Sequence, residues 1–387
     1  MNKVYLDHAA TTPLDPRVFE VMLPFLKEDF GNASSVHALG RKARHAVEAC
    51  REKVAGYLGA EPGEIVFTSG GTEADNLALK GVLLERGGHL ITSAAEHKAV
   101  LTPAQAWMQR GGKATILRPA TTGAITPQQL EAALTEDTSL VSLMHANNEL
   151  GSLTPIPAIS EVCRAHDVLL HCDAVQTAGL FRLNVQVLGV DLLTLSGHKF
   201  YGPKGAGVLY VRGGVTLSPL VEGGGQERGR RGGTENVAAI VGLTTAFELA
   251  MEEANERVLH LTRLRDRLCR LLREALGDKY VSNTPLDGDA APHILNLSFL
   301  PVDGEPLDGE MLLLNLDLEG VMVSAGSACT SGTLEPSHVL LAIGRDRAVA
   351  AATLRFSFGK DNTEADVDYT AGKLEKVLRR MGASISP

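Results

Sequence analysis

The sequence has little of what marks several broad protein classes. It carries five cysteines in 387 residues: Cys50, Cys163, Cys172, Cys269 and Cys329. Their number is odd, their spacing is wide and no CxxC occurs, which argues against a disulfide framework and against a structural zinc site. No uncharged apolar run approaches the ~20 residues of a membrane helix. Positive charge is also short, with 37 Lys+Arg against 46 Asp+Glu and a net charge of −9. Non-specific nucleic-acid binding needs clustered basic surface, so that partner class is disfavoured. Asp7 and His8 stand where a secretory signal would need its apolar segment. Aromatics are few, at 4%, against 40 glycines, so many tight turns and close backbone approaches are expected. Neither an internal repeat nor a low-complexity tract is present. The expectation is a cytoplasmic protein with no membrane and no nucleic-acid partner.

The rest of the composition is that of a folded chain. Hydrophobic residues make up 44% and charged residues 21%, enough for a sizeable core and too little charge for wholesale disorder. The length suits two or three domains, or one large α/β domain with an appendage. Short runs rich in Val, Ile and Leu fall at 65–68, 89–92, 115–117, 140–144, 168–172, 191–195 and 208–211. Helical patterns at 72–85, 103–110, 127–134 and 155–166 lie between several of them. This alternation predicts a mostly parallel sheet covered by helices on both faces. A glycine-rich stretch at 222–233 reads as an exposed loop, and 252–276 as one long amphipathic helix. Beyond it, strand-like runs at 293–299, 321–323 and 353–357 mix with helical segments at 310–316, 337–343 and 364–381, suggesting a smaller α+β unit.

The polar residues follow the apolar runs. The first run leads into Ser69-Gly70-Gly71-Thr72, the second into Glu96-His97-Lys98, and the fourth into His145, Asn147, Asn148 and Glu149. The fifth ends at Asp173, with Gln176 three residues on, and the sixth ends at Ser196-Gly197-His198-Lys199. In a parallel sheet these ends share one edge, and ligands bind in the crevice outside it. Each motif alone has an ordinary reading beside the functional one. Gly70-Gly71-Thr72 opens a helix, either as a plain N-cap or as a phosphate seat. Lys199 is either a surface lysine or an amine in a crevice that can form a Schiff base. Asp173 ends a very apolar run, and a buried carboxylate needs a cationic partner. A lysine, a phosphate-holding turn and a carboxylate for a pyridinium nitrogen are together what pyridoxal phosphate requires. No Walker loop and no GxGxxG is present, which counts against nucleotides. Cys329 sits in Ser324-Ala-Gly-Ser-Ala-Cys-Thr-Ser-Gly332, free of bulky side chains. That stretch suits a mobile loop carrying a nucleophile, or a tight small-residue turn with an incidental cysteine.

The order and spacing of these motifs resemble the pyridoxal-phosphate-dependent cysteine desulfurases of the NifS/IscS type. The likeness runs from Tyr5-Leu-Asp-His-Ala-Ala-Thr-Thr-Pro13 to Leu354-Arg-Phe-Ser-Phe-Gly359. Between them lie Thr68-Ser-Gly-Gly-Thr-Glu73, His145-Ala-Asn-Asn-Glu149, Gly223-Gly-Gly-Gln-Glu-Arg228 and Ser327-Ala-Cys-Thr-Ser331. The resemblance implies the α/β, aspartate-aminotransferase-like fold of type I pyridoxal enzymes. A large cofactor domain over 16–257 would carry a mostly parallel seven-stranded sheet, and 1–15 with 258–387 would form the small domain. It implies Lys199 as the Schiff-base lysine, Asp173 on the pyridinium nitrogen, Gln176 on the phenolic oxygen and His97 stacked on the ring. Gly71, Thr72, Ser196 and His198 would hold the phosphate, and Thr234 would reach the phosphate of a partner subunit in a homodimer. Asn148 and Arg355 would bind the substrate carboxylate. Lys199 would remove the α-proton of L-cysteine, and the Cys329 thiolate would take the sulfur as a persulfide and pass it to an acceptor protein. The use would be iron–sulfur assembly or thiolation. No resident metal is implied, though Cys329 could act as a transient ligand to a nascent iron–sulfur cluster. A selenocysteine lyase or an aminotransferase of the same fold is the alternative, and the Cys329 loop is what separates them.

Overall fold

The computed structural model describes residues 3–286, 290–301, 305–325 and 336–382. Twelve strands occur among them: β1 (Val4–Tyr5), β2 (Ile65–Thr68), β3 (His89–Ser93), β4 (Lys113–Leu117), β5 (Thr138–Met144), β6 (Leu169–Asp173), β7 (Leu192–Ser196), β8 (Gly207–Val211), β9 (Tyr280–Ser282), β10 (Ile294–Phe299), β11 (Val321–Met322) and β12 (Thr353–Ser357). Seven of them form one sheet in the order β2-β8-β7-β6-β5-β3-β4, in which only β8 runs against its neighbours. These are the seven runs read from the sequence. Alternate residues of each strand enter different apolar clusters: Ile65, Ile91, Val141, Leu170 and Leu193 on one face, Val66, Leu90, Leu140, Leu169 and Leu192 on the other. Both faces are therefore covered, which is why these strands carry no polar alternation.

The helices are α1 (Pro16–Lys27), α2 (Ala38–Leu58), α3 (Gly71–Arg86), α4 (Lys98–Gln109), α5 (Pro127–Glu131), α6 (Ile156–Ala165), α7 (Val185–Leu188), α8 (Val237–Glu252), α9 (Ala254–Leu276), α10 (Gly309–Leu318), α11 (His338–Ala342), α12 (Arg347–Ala351) and α13 (Glu364–Arg380). Buried residues of α3 and α4 pack on one face of the sheet, and those of α1, α2, α6, α7 and α8 on the other. A separate cluster joins Val4 and Leu6 to α9, α10, α13 and the strands β10 and β12. There β12, β10 and β9 make a small antiparallel sheet, while β1 pairs in parallel with β11.

Three expectations change. The long helix expected at 252–276 is present as α9, starting two residues later, but a helix that was not expected, α8, precedes it across Glu253. Glu253 is not spent on helix continuity: its carboxylate pairs with Arg257 at 2.6 Å and with Arg17 at 2.8 Å. Helix α8 escaped the periodicity reading because it is apolar on nearly every side, as a fully buried helix is. The helix expected to start at Pro103 starts five residues earlier, capped by His97, with the proline inside it. The carbonyl of Ala99, which a proline cannot serve, instead lies 3.5 Å from Asn76 Nδ2. Finally, the stretch at 222–233 is anchored rather than simply exposed. Its short 3₁₀ turn buries Glu227, with φ +46° there and +58° at Arg228.

Candidate active site

The parallel strands deliver their C-terminal ends to one edge, and a cleft of about 430 Å³ opens there. Gly71, Thr72, His97, Asn148, Asp173, Gln176, Ser196, His198, Lys199 and Arg355 all line it. Asp173 and Ser196 are the last residues of β6 and β7 rather than the first residues of loops, so ladder pairing fixes their backbones. Lys199 ends the 3₁₀ turn that follows β7. Its Nζ donates to the carbonyls of Ala9 at 2.6 Å and Ala10 at 2.9 Å. Burial, and then the charge of Arg355, push its amine down to about 8.

Asp173 Oδ1 accepts from the Val175 amide at 2.9 Å. Burial raises its proton affinity, which the nearby charges of His97 and Lys199 oppose. Beneath it lies a fully buried polar layer. His171 shares hydrogen bonds with Ser142 at 2.8 Å and Thr194 at 3.0 Å, and burial keeps it neutral. Asp75 and Glu96 are pushed far up by burial, so this layer adds little charge of its own. His97 caps α4, with Nδ1 accepting from the Ala99 amide at 3.2 Å, and burial pushes it down.

At the start of α3 the backbone opens with Gly70 at φ +149°. A Cβ on Gly71 would sit 3.1 Å from Val175 Cγ2, and one on Gly207 would sit 2.6 Å from the backbone of Gly70. The turn thus has room for backbone and for a ligand, not for side chains. His198 shares a 3.1 Å hydrogen bond with Thr11 through Nδ1, and burial takes its imidazole down to about 4.

Across the cleft, Asn147 Oδ1 accepts from the amides of Glu149 at 2.9 Å and Leu150 at 2.8 Å, a turn that presents Asn148. Arg355 on β12 donates through Nη1 to the Asn148 carbonyl at 2.9 Å and through Nη2 to Asp7 Oδ1 at 2.7 Å. Its Nε and the Oδ1 of Asn148 are buried without a hydrogen-bond partner. Such orphaned groups are costly unless a ligand meets them.

One expected residue among those described does not line the cleft. Thr234 lines a separate cavity of about 150 Å³ with Ser69, Glu227 and Arg231. Cys329 lies outside the described residues. The other cysteines fit a structural reading, since burial pushes Cys163 up to about 12 and Cys269 to about 11. Sequence reasoning gave no role to the N-terminal segment, yet Ala9 and Ala10 line the cleft and Asp7 reaches Arg355. The segment is laid there by a Thr12 N–H bond to the His198 carbonyl at 3.0 Å and a Ser357 N–H bond to the Leu6 carbonyl at 2.7 Å. A hint existed in the unbroken polar and small run Asp7-His-Ala-Ala-Thr-Thr12, which fits neither helix nor strand periodicity. Among the described residues no cluster of His, Cys, Asp or Glu could hold a metal ion, and no helix is long and apolar enough to cross a membrane.

The aminotransferase class-V family model matches residues 4–370. A cysteine desulfurase IscS of Dictyoglomus turgidum is 48% identical, covering 100% of this chain and 96% of that protein. One of Clostridium botulinum is 46% identical, over 98% of this chain and 96% of that protein. A solved NifS-like protein superposes with a TM-score of 0.90 at 40% identity, covering 98% of this chain and 100% of that one. The structure described as SspA in complex with cysteine gives a TM-score of 0.81 at 39% identity, over 92% and 99% of the two chains.

Proposed function

The chain belongs to the aminotransferase class-V family, and from that premise we infer that it is a pyridoxal-phosphate-dependent cysteine desulfurase with the type I fold. It converts L-cysteine to L-alanine and hands the sulfur on, in the service of iron–sulfur assembly. The observation that carries the reading is one cleft in which a lysine amine of lowered proton affinity faces a buried carboxylate and a guanidinium with an unpaired Nε.

The residues present fit the cofactor. The cleft has the volume of an ordinary small-molecule site, its glycine turn excludes side chains, and its donor set suits a phosphate at one end and a pyridine at the other. Bound there, pyridoxal phosphate supplies a ring that accepts the electron pair released when the α-proton leaves. We propose that Lys199 holds it covalently and that Asp173 keeps its ring nitrogen protonated. Gln176 would donate to its phenolic oxygen, His97 would stack on its ring, and Gly71, Thr72, Ser196 and His198 would hold its phosphate. Asn148 and Arg355 take the substrate carboxylate, which Arg355 can meet through Nε while its terminal nitrogens stay anchored. Lys199, with its lowered proton affinity, carries the α-proton at Nζ near neutral pH. The Cys329 thiolate attacks the substrate sulfur and the Cβ–S bond breaks. The carbon keeps the electron pair and gains a proton to become alanine, and Cys329 becomes a persulfide.

The finer parts of the reading are proposals of the same kind. The two apolar clusters of the sheet and the cluster around β10 and β12 support a division into 16–257 and 1–15 with 258–387. Thr234, which lines a cavity separate from its own chain's cleft, fits a homodimer in which it serves the partner's phosphate. The persulfide goes to a sulfur-acceptor protein in the cytoplasm. Alanine and sulfide release from L-cysteine, with a thiol reductant, tests the core of the reading. Wild type should be active and Cys329→Ser inactive with its cofactor still bound, whereas equal activity in both would remove the persulfide route.

A further inference from the structure

We propose that His293 is a positioning residue that turns the donor side of the Gln176 amide toward the cofactor. The proposal rests on the reading of Gln176 as the donor to the phenolic oxygen. An amide side chain has an acceptor end and a donor end, and an unclamped one can present either. Here both ends are fixed. Gln176 Nε2 donates to the Ala9 carbonyl at 3.0 Å, and Gln176 Oε1 lies 3.2 Å from His293 Nε2. A carbonyl oxygen only accepts, so His293 must carry its proton on Nε2. Its Nδ1 is buried with no partner, as suits the bare nitrogen of a neutral ring. Burial pushes His293 down to about 3, and the charges of Arg355, Lys199 and Arg265 act in the same direction. One tautomer and one amide orientation are thereby selected together.

His293 also belongs to the strand pair that seats the substrate carboxylate. It directly precedes β10, and its carbonyl accepts from the Phe358 amide at 2.9 Å. Strand β10 pairs with β12 in the register Ile294 to Ser357 and Asn296 to Arg355. The guanidinium for the carboxylate and the imidazole behind Gln176 therefore ride on one small sheet. Donation from Gln176 lowers the basicity of the oxygen it meets. Without the imidazole, the amide keeps only its anchor on the Ala9 carbonyl, its Oε1 end is released, and that donation weakens.

The test is the pH titration of the cofactor absorbance band in the resting holoenzyme, without substrate. Gln176→Leu should raise its midpoint by about one pH unit, the size of one lost hydrogen bond to a charged form. His293→Phe, which keeps a ring but has no donor, should raise it in the same direction. His293→Gln, which restores an N–H of similar reach, should return it toward wild type. In the Gln176→Leu background His293→Phe should add nothing. A wild-type midpoint in His293→Phe, beside a shifted Gln176→Leu, would overturn this inference alone. An equal shift with and without Gln176 would overturn it as well. An unshifted Gln176→Leu would instead overturn the reading of Gln176 and take this inference with it. Thermal midpoints and cofactor stoichiometry identify any misfolded variant, and His293→Leu serves as a second donor-free variant.

Discussion

Asp7 and Arg355 stand 348 residues apart in the chain and 2.7 Å apart in the fold. With the Asn148 carbonyl on its other terminal nitrogen, the guanidinium is held at two corners, and its third, Nε, is buried without a partner.

Arg355→Lys keeps the charge but loses that three-cornered arrangement. The kcat/KM for L-cysteine is expected to fall about 100-fold, or about 2.7 kcal/mol. Asp7→Ala leaves the chemistry intact and loosens the guanidinium, so its effect should fall mainly on KM, by about tenfold. Steady-state kinetics on both variants checks this, and a wild-type KM in Asp7→Ala would deny Asp7 its positioning part.

Lys199 gives a pH prediction. Its amine is lowered from 10.5 to about 8, by burial first and by Arg355 second. Only the unprotonated amine attacks a carbonyl. Loading of cofactor-free protein with pyridoxal phosphate, followed by absorbance, should therefore accelerate with pH and level off above a midpoint near 8. A midpoint near 10.5 would show the amine to be ordinary. The sign for stability follows from the same shift. Between about 8 and 10.5 the unfolded chain holds a proton that the folded chain has released, so this group's contribution rises with pH across that window. Lys199→Met in cofactor-free protein should flatten that rise.

The arm at 222–233 gives a stability prediction. Arg51 and Glu227 are 5% and 3% exposed at their side chains, and they meet at 2.7 and 2.9 Å. Glu227 also accepts from the Phe67 amide at 2.9 Å, and Arg51 donates to the Ile65 carbonyl at 2.8 Å, so the pair fastens the arm to β2. Arg51→Met leaves a buried carboxylate unpaired and should cost about 3–5 kcal/mol in denaturant unfolding. Arg51→Met with Glu227→Leu should cost less than the sum of the two single changes, because no charge is stranded. Full additivity would show that the two groups do not act as a pair.

Much of the scaffold was legible because its physics is local. A strand buried on both faces is mostly apolar, which is why six strands of the large sheet stood out, while the less buried β4 showed only a short apolar run, and the polar residues after the parallel strands could only gather on one edge. Ten of the expected cleft residues meet there for that reason. What escaped was set by distant partners. Helix α8 lacks a polar face because sheet and helices surround it, so no period betrays it. Glu227 looked like one more charge in a glycine-rich loop, and only Arg51, 176 residues away, makes it a buried anchor.

By itself, then, the sequence determined the α/β alternation, the edge on which the chemistry collects, and the lysine, carboxylate and glycine turn that call for pyridoxal phosphate. These follow from hydrogen-bond periodicity and from side-chain chemistry, both of which short segments contain. The tertiary structure decided the return of the N-terminal segment to the cleft, the grip of Asp7 on Arg355 and the clamp of His293 on Gln176. Each of those joins groups whose separation along the chain carries no local signal, and each acquires its energy only when folding removes both partners from water.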